Sequence, residues 1–150
     1  MELRTEIEID ATPAIVWRVL VDFQHFSDWN PFIPFITGDA RVGARLEVIL
    51  APPNGREWTI RPRVLAVEEE RELRWVGHFL FRGLFDGEHF FRLVPVGEGR
   101  TRFVHGENFS GILVKPMTEL LTNTARGFVF MNQALKKRVE SLAREPTRRA

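Results

Sequence analysis

The sequence predicts an α+β domain: an antiparallel sheet with its helices gathered on one face. Three observations carry that prediction. Segments in which apolar and polar residues alternate with period two recur along most of the 150 residues. The connections between the later segments are of hairpin length. One apolar stripe of helical period, Met117, Leu120, Leu121, Thr124, Phe128, Met131, Leu135, Val139 and Leu142, closes the chain.

The elements follow in order. Leu3, Thr5, Ile7 and Ile9 alternate with Glu2, Arg4, Glu6 and Glu8, which predicts a half-buried strand over residues 2–10. Asp10-Ala11-Thr12-Pro13 opens a helix with Thr12 as N-cap and Pro13 at the first helical position, and Val16, Trp17, Leu20 and Val21 form its stripe. Phe26-Ser27-Asp28-Trp29-Asn30-Pro31-Phe32 reads as a second short helix ended by proline. Strands are then expected near 32–38, 46–50, 58–67, 73–77, 85–95 and 100–110. Pro52-Pro53-Asn54-Gly55 marks a turn, and Pro62 puts its long strand at a sheet edge or a bulge. Lys115-Pro116 starts the long helix, which runs to about residue 143. The expected layout is a single domain over 1–145 with a frayed tail at 146–150.

Composition narrows the function classes. Hydrophobic residues make up 44 %, charged residues 27 %, and the formal net charge is +1, an ordinary globular balance with no basic excess for nucleic acid. The absence of cysteine excludes disulfides and thiolate metal sites and fits a cytoplasmic location. No apolar run approaches the roughly 20 residues that span a bilayer, so stable membrane insertion is not expected. Thirteen phenylalanines, 4 tryptophans and no tyrosine favour bulky walls without hydroxyls, whether of a dense core or of an apolar pocket. No P-loop, dinucleotide fingerprint, nucleophile elbow or zinc-finger spacing is present, and no cofactor is expected.

The residues that stand out are polar ones on an apolar strand face. In Phe103-Val104-His105-Gly106-Glu107-Asn108-Phe109, alternation puts His105 and Glu107 between Phe103 and Phe109. In the preceding strand His89 shares a face with Phe91 and Leu93. A carboxylate among phenylalanines is costly unless paired or wetted, so the three groups imply a polar patch inside a cavity.

The chain resembles the Bet v 1-like, START-related superfamily that includes polyketide cyclases and dehydratases. The resemblance rests on Ala11-Thr12-Pro13-Ala14-Ile15-Val16-Trp17, on Phe26-Ser27-Asp28-Trp29-Asn30-Pro31, on Gly87-Glu88-His89-Phe90-Phe91-Arg92-Leu93, on Glu107-Asn108-Phe109-Ser110-Gly111, and on the last helix from Gly127-Phe128 through Met131-Asn132-Gln133-Ala134-Leu135-Lys136. It implies a helix-grip fold, in which a seven-stranded antiparallel sheet wraps around the C-terminal helix and leaves a cavity between them. It also implies binding of a small hydrophobic molecule more firmly than it implies a reaction.

On that footing Trp58, Ile60, Leu73, Trp75, Phe91, Phe103 and Phe109 are the candidate sheet-side wall, and Leu121, Phe128 and Met131 the helix-side wall, each of them open to the plainer role of core packing. His89, His105 and Glu107 are the candidates for anchoring a ligand's polar end. The same three are candidate catalytic residues, with a histidine as base and Glu107 to orient it, and their types also permit a metal triad, which the spacing does not favour. Trp29 either lines a cavity mouth or staples the short helix. The apolar stretch with Phe79, Phe81 and Phe85 is open as a lid, a homodimer contact, a co-chaperone-like docking surface, or a segment folded onto the core.

Overall fold

The computed structural model describes residues 1–78 and 82–145. Its elements run β1 (Glu2–Ile9), α1 (Pro13–Leu20), a 3-10 turn (Phe23–Asp28), β2 (Phe35–Thr37), β3 (Glu47–Leu50), β4 (Trp58–Ile60), β5 (Arg63–Glu68), β6 (Glu72–His78), β7 (Asp86–Pro95), β8 (Thr101–Ser110), a second 3-10 turn (Lys115–Met117) and α2 (Thr118–Arg144). None of the described helices is long and apolar enough to cross a membrane.

The strands form a five-stranded antiparallel sheet, β1-β8-β7-β6-β5, and a three-stranded one, β2-β3-β4. The architecture is the helix-grip arrangement of sheet and long terminal helix, but the single seven-stranded sheet is corrected. Residues 58–67 do not form one strand. They split at Arg61-Pro62, β4 pairing with β3 and β5 with β6. Pro62 has no N–H to give a ladder, so the chain changes sheets there. The two sheets stay tied around that point, where the Leu46 amide donates to the Pro62 carbonyl at 2.9 Å and the Val64 amide to the Ala44 carbonyl at 2.9 Å.

Two smaller expectations also change. Thr12 precedes α1 as expected, yet its side chain makes no capping bond; its backbone carbonyl takes the amides of Ile15 and Val16 at 3.1 and 3.2 Å. The second helix is a 3-10 turn that begins earlier, at Phe23. Trp29 packs edge-on against Phe26, with ring centroids 5.1 Å apart, and serves as a staple.

One sheet face is apolar because every second residue of β1, β6, β7 and β8 points to it. Leu73, Trp75, Phe91, Phe103 and Ile9 are buried there against Phe128, Met131, Leu135 and Val139 of α2. On its other flank α2 closes on the segment before β2 because Gly127 has no side chain: a Cβ there would stand 2.3 Å from the Phe32 ring.

The opposite face is mostly polar, though Phe90 and Val104 are buried on it. Phe90 is 1 % exposed beneath the guanidiniums of Arg74 and Arg92, which lie 5.2 and 4.4 Å from its ring centre. Burial works against the charge of Glu72, but its bonds to Arg92 and Arg74 outweigh that and hold its carboxyl below the usual range. Gly106 makes room for the Phe90 ring. A Cβ there would stand 2.4 Å from that ring and 2.6 Å from the Leu3 carbonyl oxygen. Gly106→Ala is therefore expected to cost about 2 kcal/mol or more in chemical denaturation. Gly77→Ala, whose Cβ meets only Ile60 and Pro62 at 3.9 Å, should change stability by less than about 1 kcal/mol.

Candidate functional site

Register brings the polar residues together. His89 on β7 lies directly opposite Glu107 on β8, and Phe91 opposite His105. His89 Nδ1 is 2.8 Å from Glu107 Oε1, and His89 Nε2 is 2.7 Å from His105 Nε2. The chain continues where sequence reasoning did not look. His105 Nδ1 is 2.9 Å from Asn132 Oδ1 on α2, the Asn132 amide donates to Thr5 Oγ1 on β1 at 2.8 Å, and the Thr5 hydroxyl donates to the His105 carbonyl at 2.8 Å. Side chains from three strands and the helix thus form one buried polar file. A signal for both missed members was present: Asn132 stands one helical turn after Phe128 on the buried stripe, and Thr5 is the polar residue on the inward face of β1.

Aromatic rings hold the imidazoles in place. His105 stacks on Phe128, with centroids 4.1 Å apart and planes 18° from parallel, and His89 stacks on Trp75 at 5.2 Å and 22°. Burial in this setting disfavours charge. It lowers His89 to about 3. It also takes His105 well below the ordinary histidine value, helped by neighbouring His89. The same burial pushes the Glu107 carboxyl up to about 8. The three groups are spent on one another, and among the described residues no cluster of His, Asp and Glu is arranged to hold a metal ion.

Beside this file lies a cleft of about 360 Å³. The core is divided: a small cluster of Phe85, Phe109 and Leu121 stands apart from the main one. The cleft occupies the space between them, with Phe32 and Trp75 on one side and Phe85, Phe109 and Leu121 on the other. Two glycines paired across β6 and β7, Gly77 and Gly87, leave its floor open. A Cβ on Gly87 would lie 3.1 Å from the Glu107 carboxyl carbon, so that glycine also makes room for the acid.

The candidate residues fall into two groups. Trp58, Ile60, Trp75, His89, Glu107, Phe109 and Leu121 line the cleft. Leu73, Phe91, Phe103, His105, Phe128 and Met131 are fully buried and lie outside its lining, packed as core behind it. The cleft stops short of them because the stacked rings around His105 fill the space. Sequence reading missed Phe32, Leu50, Arg61 and Thr124 as lining residues, Arg61 standing exposed at the rim. Of the apolar stretch, Phe79 and Phe81 lie outside the described residues, while Phe85 is buried and packs on Phe109 at 5.4 Å.

The roles of the polar trio follow from exposure. His105 is 0 % and His89 2 % exposed, whereas the Glu107 side chain keeps 12 %. The carboxyl and His89 both line the cleft, and His105 stands behind them.

The family model described as polyketide cyclase / dehydrase and lipid transport matches residues 1–145. No protein of curated function matches in sequence. Among solved structures, a START superfamily protein from Mycobacterium smegmatis is 20 % identical with a TM-score of 0.75, over 94 % of this chain and 98 % of that one. An aromatase/cyclase from a Streptomyces species is 15 % identical with a TM-score of 0.75, over 96 % of each chain. A norcoclaurine synthase point mutant from Thalictrum flavum, in complex with a transition-state analogue, is 17 % identical with a TM-score of 0.72, over 95 % and 96 %. At these identities the likeness is one of fold.

The pKa shifts predict a stability profile. Glu107, raised from 4.5 to about 8, holds its proton in the folded state where the unfolded chain has lost it, so its contribution falls as pH rises through that window. His89, lowered from 6.5 to about 3, acts oppositely: its contribution is full above 6.5 and is lost as pH falls. His105 has the same sign as His89. The combined contribution peaks near pH 6.5, with an alkaline limb of up to about 1.4 kcal/mol per pH unit. Denaturation midpoints measured across pH should show both limbs, and Glu107→Gln should flatten the alkaline one and steepen the acid one above 4.5, where Glu107 opposes the histidines.

Proposed function

The chain belongs to the polyketide cyclase / dehydrase and lipid transport family, and from that premise we propose that it binds a small, mostly apolar ligand in the cleft between the sheet and the start of α2. The observation that carries this reading is the composition of the cleft: largely apolar and aromatic walls, with Thr59, Thr124, His78 and Arg61 among them, around a single carboxyl group backed by a polar file. Its volume of about 360 Å³ is at the small end for ligand sites and roughly twice an engineered cavity that admits benzene. A ligand of a few fused rings suits that space better than a long acyl chain. Affinity would come from burying its apolar surface, at about 25 cal/mol per Å², with Glu107 fixing the polar end.

Proton-transfer catalysis in the same cleft is the second reading. It is favoured by the Glu107 carboxyl, whose pKa of about 8 lies close to neutral pH. There a carboxyl group can both give and take a proton, which an ordinary carboxylate does poorly. Under that reading Glu107→Gln abolishes turnover while binding survives. A soluble location in the cytoplasm and a homodimer through the stretch from Phe79 to Phe85 remain proposals beside these.

Filling the cleft tests the primary reading. A leucine at position 77 projects into the space between Ile60 and Gly87. Gly77→Leu should reduce binding of a lipophilic fluorescent dye by about tenfold or more, with the unfolding transition retained. Unchanged dye affinity in that variant would show that the cleft is not the binding site.

A further inference from the structure

The hydrogen-bond file has a direction, and the direction is anchored on the main chain. Thr5 Oγ1 and the His105 carbonyl oxygen lie 2.8 Å apart. A carbonyl has no hydrogen, so the Thr5 proton must lie between them. Thr5 Oγ1 is then free only to accept from Asn132, and the Asn132 amide nitrogen turns toward it. That leaves Asn132 Oδ1 facing His105 Nδ1, which must carry its hydrogen. His105 Nε2 is consequently a lone pair and accepts from His89 Nε2–H. With that nitrogen protonated, the neutral imidazole of His89 offers a lone pair at Nδ1, and the proton of the 2.8 Å contact comes from Glu107 Oε1.

We propose that Thr5 and Asn132 are positioning residues that set this order, keeping Glu107 a neutral carboxylic acid whose O–H is committed to His89 and whose Oε2 is offered to the cleft as an acceptor. The raised pKa of Glu107 agrees, having a separate physical cause in burial. The consequence is a ligand class: a neutral molecule with a hydroxyl donor, whether alcohol, phenol or enol, set on a ring-sized apolar body. The other titratable groups lining the cleft are His78 and Arg61, the latter at the rim and 3.3 Å from Glu47. Arg61 is the group that would favour an anionic ligand instead.

This inference rests on the cleft being a binding site, and the test separates the two. The probes are 2-naphthol, its methyl ether and 2-naphthoate, titrated by tryptophan fluorescence near neutral pH. Expected is preference for the naphthol over the ether by about tenfold, with the naphthoate weakest. Thr5→Val keeps the side-chain shape but frees the Asn132 amide to turn over, and should erase the preference; Thr5→Ser should retain it. Asn132→Asp, which favours a proton on His105 and a carboxylate at Glu107, should also erase it. Equal binding of naphthol and ether, a preference for naphthoate, or selectivity unchanged in both Thr5→Val and Asn132→Asp overturns the inference while leaving the cleft a binding site. No binding by any of the three overturns the reading of the cleft and this inference with it.

Discussion

The hydroxyl of Thr5 bonded to the main-chain carbonyl of His105 is a small contact on which the polar interior depends. Five side chains carry polar atoms into a region otherwise rich in phenylalanine and tryptophan, where an unpaired donor or acceptor costs about 1–3 kcal/mol. The file avoids that cost by having every link matched, and it is matched because one end terminates on a backbone oxygen that can only accept. The other end terminates at the cleft, on Glu107, whose side chain keeps 12 % exposure. A buried network fully satisfied in this way gives a rigid and unique arrangement, whereas the same residues half satisfied would be worse than an apolar core.

The fold supplies the conditions for it. Alternation on β7 and β8 places His89 opposite Glu107. Gly127 lets α2 close on Phe32, and one turn beyond Phe128 Asn132 reaches both β1 and β8. Glycine is used a second time at the paired Gly77 and Gly87, where missing side chains leave space rather than closeness. On the outer face Gly106 is used as at Gly127, letting the Phe90 ring lie flat beneath Arg74 and Arg92. The sheet is therefore clamped from its polar side while its apolar side is left partly unfilled, a division that suits a binding protein.

Much of this was legible in the amino-acid sequence because period-two alternation fixes a strand's inward face without any knowledge of its neighbours. His105 and Glu107 stood out against Phe103 and Phe109 for that reason, and His89 against Phe91. Sheet membership was less legible. Pro62 announces an irregularity, but whether it marks a bulge or a change of sheet depends on which strand each half finds as partner. Depth was also hidden. Trp75 and Phe91 look alike in a pattern of alternation, yet Trp75 reaches the cleft and Phe91 lies behind it, because helix position and ring stacking decide where space remains. Thr5 and Asn132 read as tolerable polar substitutions in apolar stripes. Their importance arises only when residues 127 positions apart meet.

The chemistry of the site turns on where a single proton resides. Two neutral imidazoles relay polarity without carrying charge, and the acid at their end is left to face the cleft. Nitrogen-15 NMR of the four ring nitrogens of His89 and His105, near neutral pH, tests this most directly. The account predicts His105 protonated at Nδ1 and bare at Nε2, with His89 protonated at Nε2 and bare at Nδ1. Both imidazoles in the opposite tautomer, or a doubly protonated His89 beside an ionised Glu107, would contradict it.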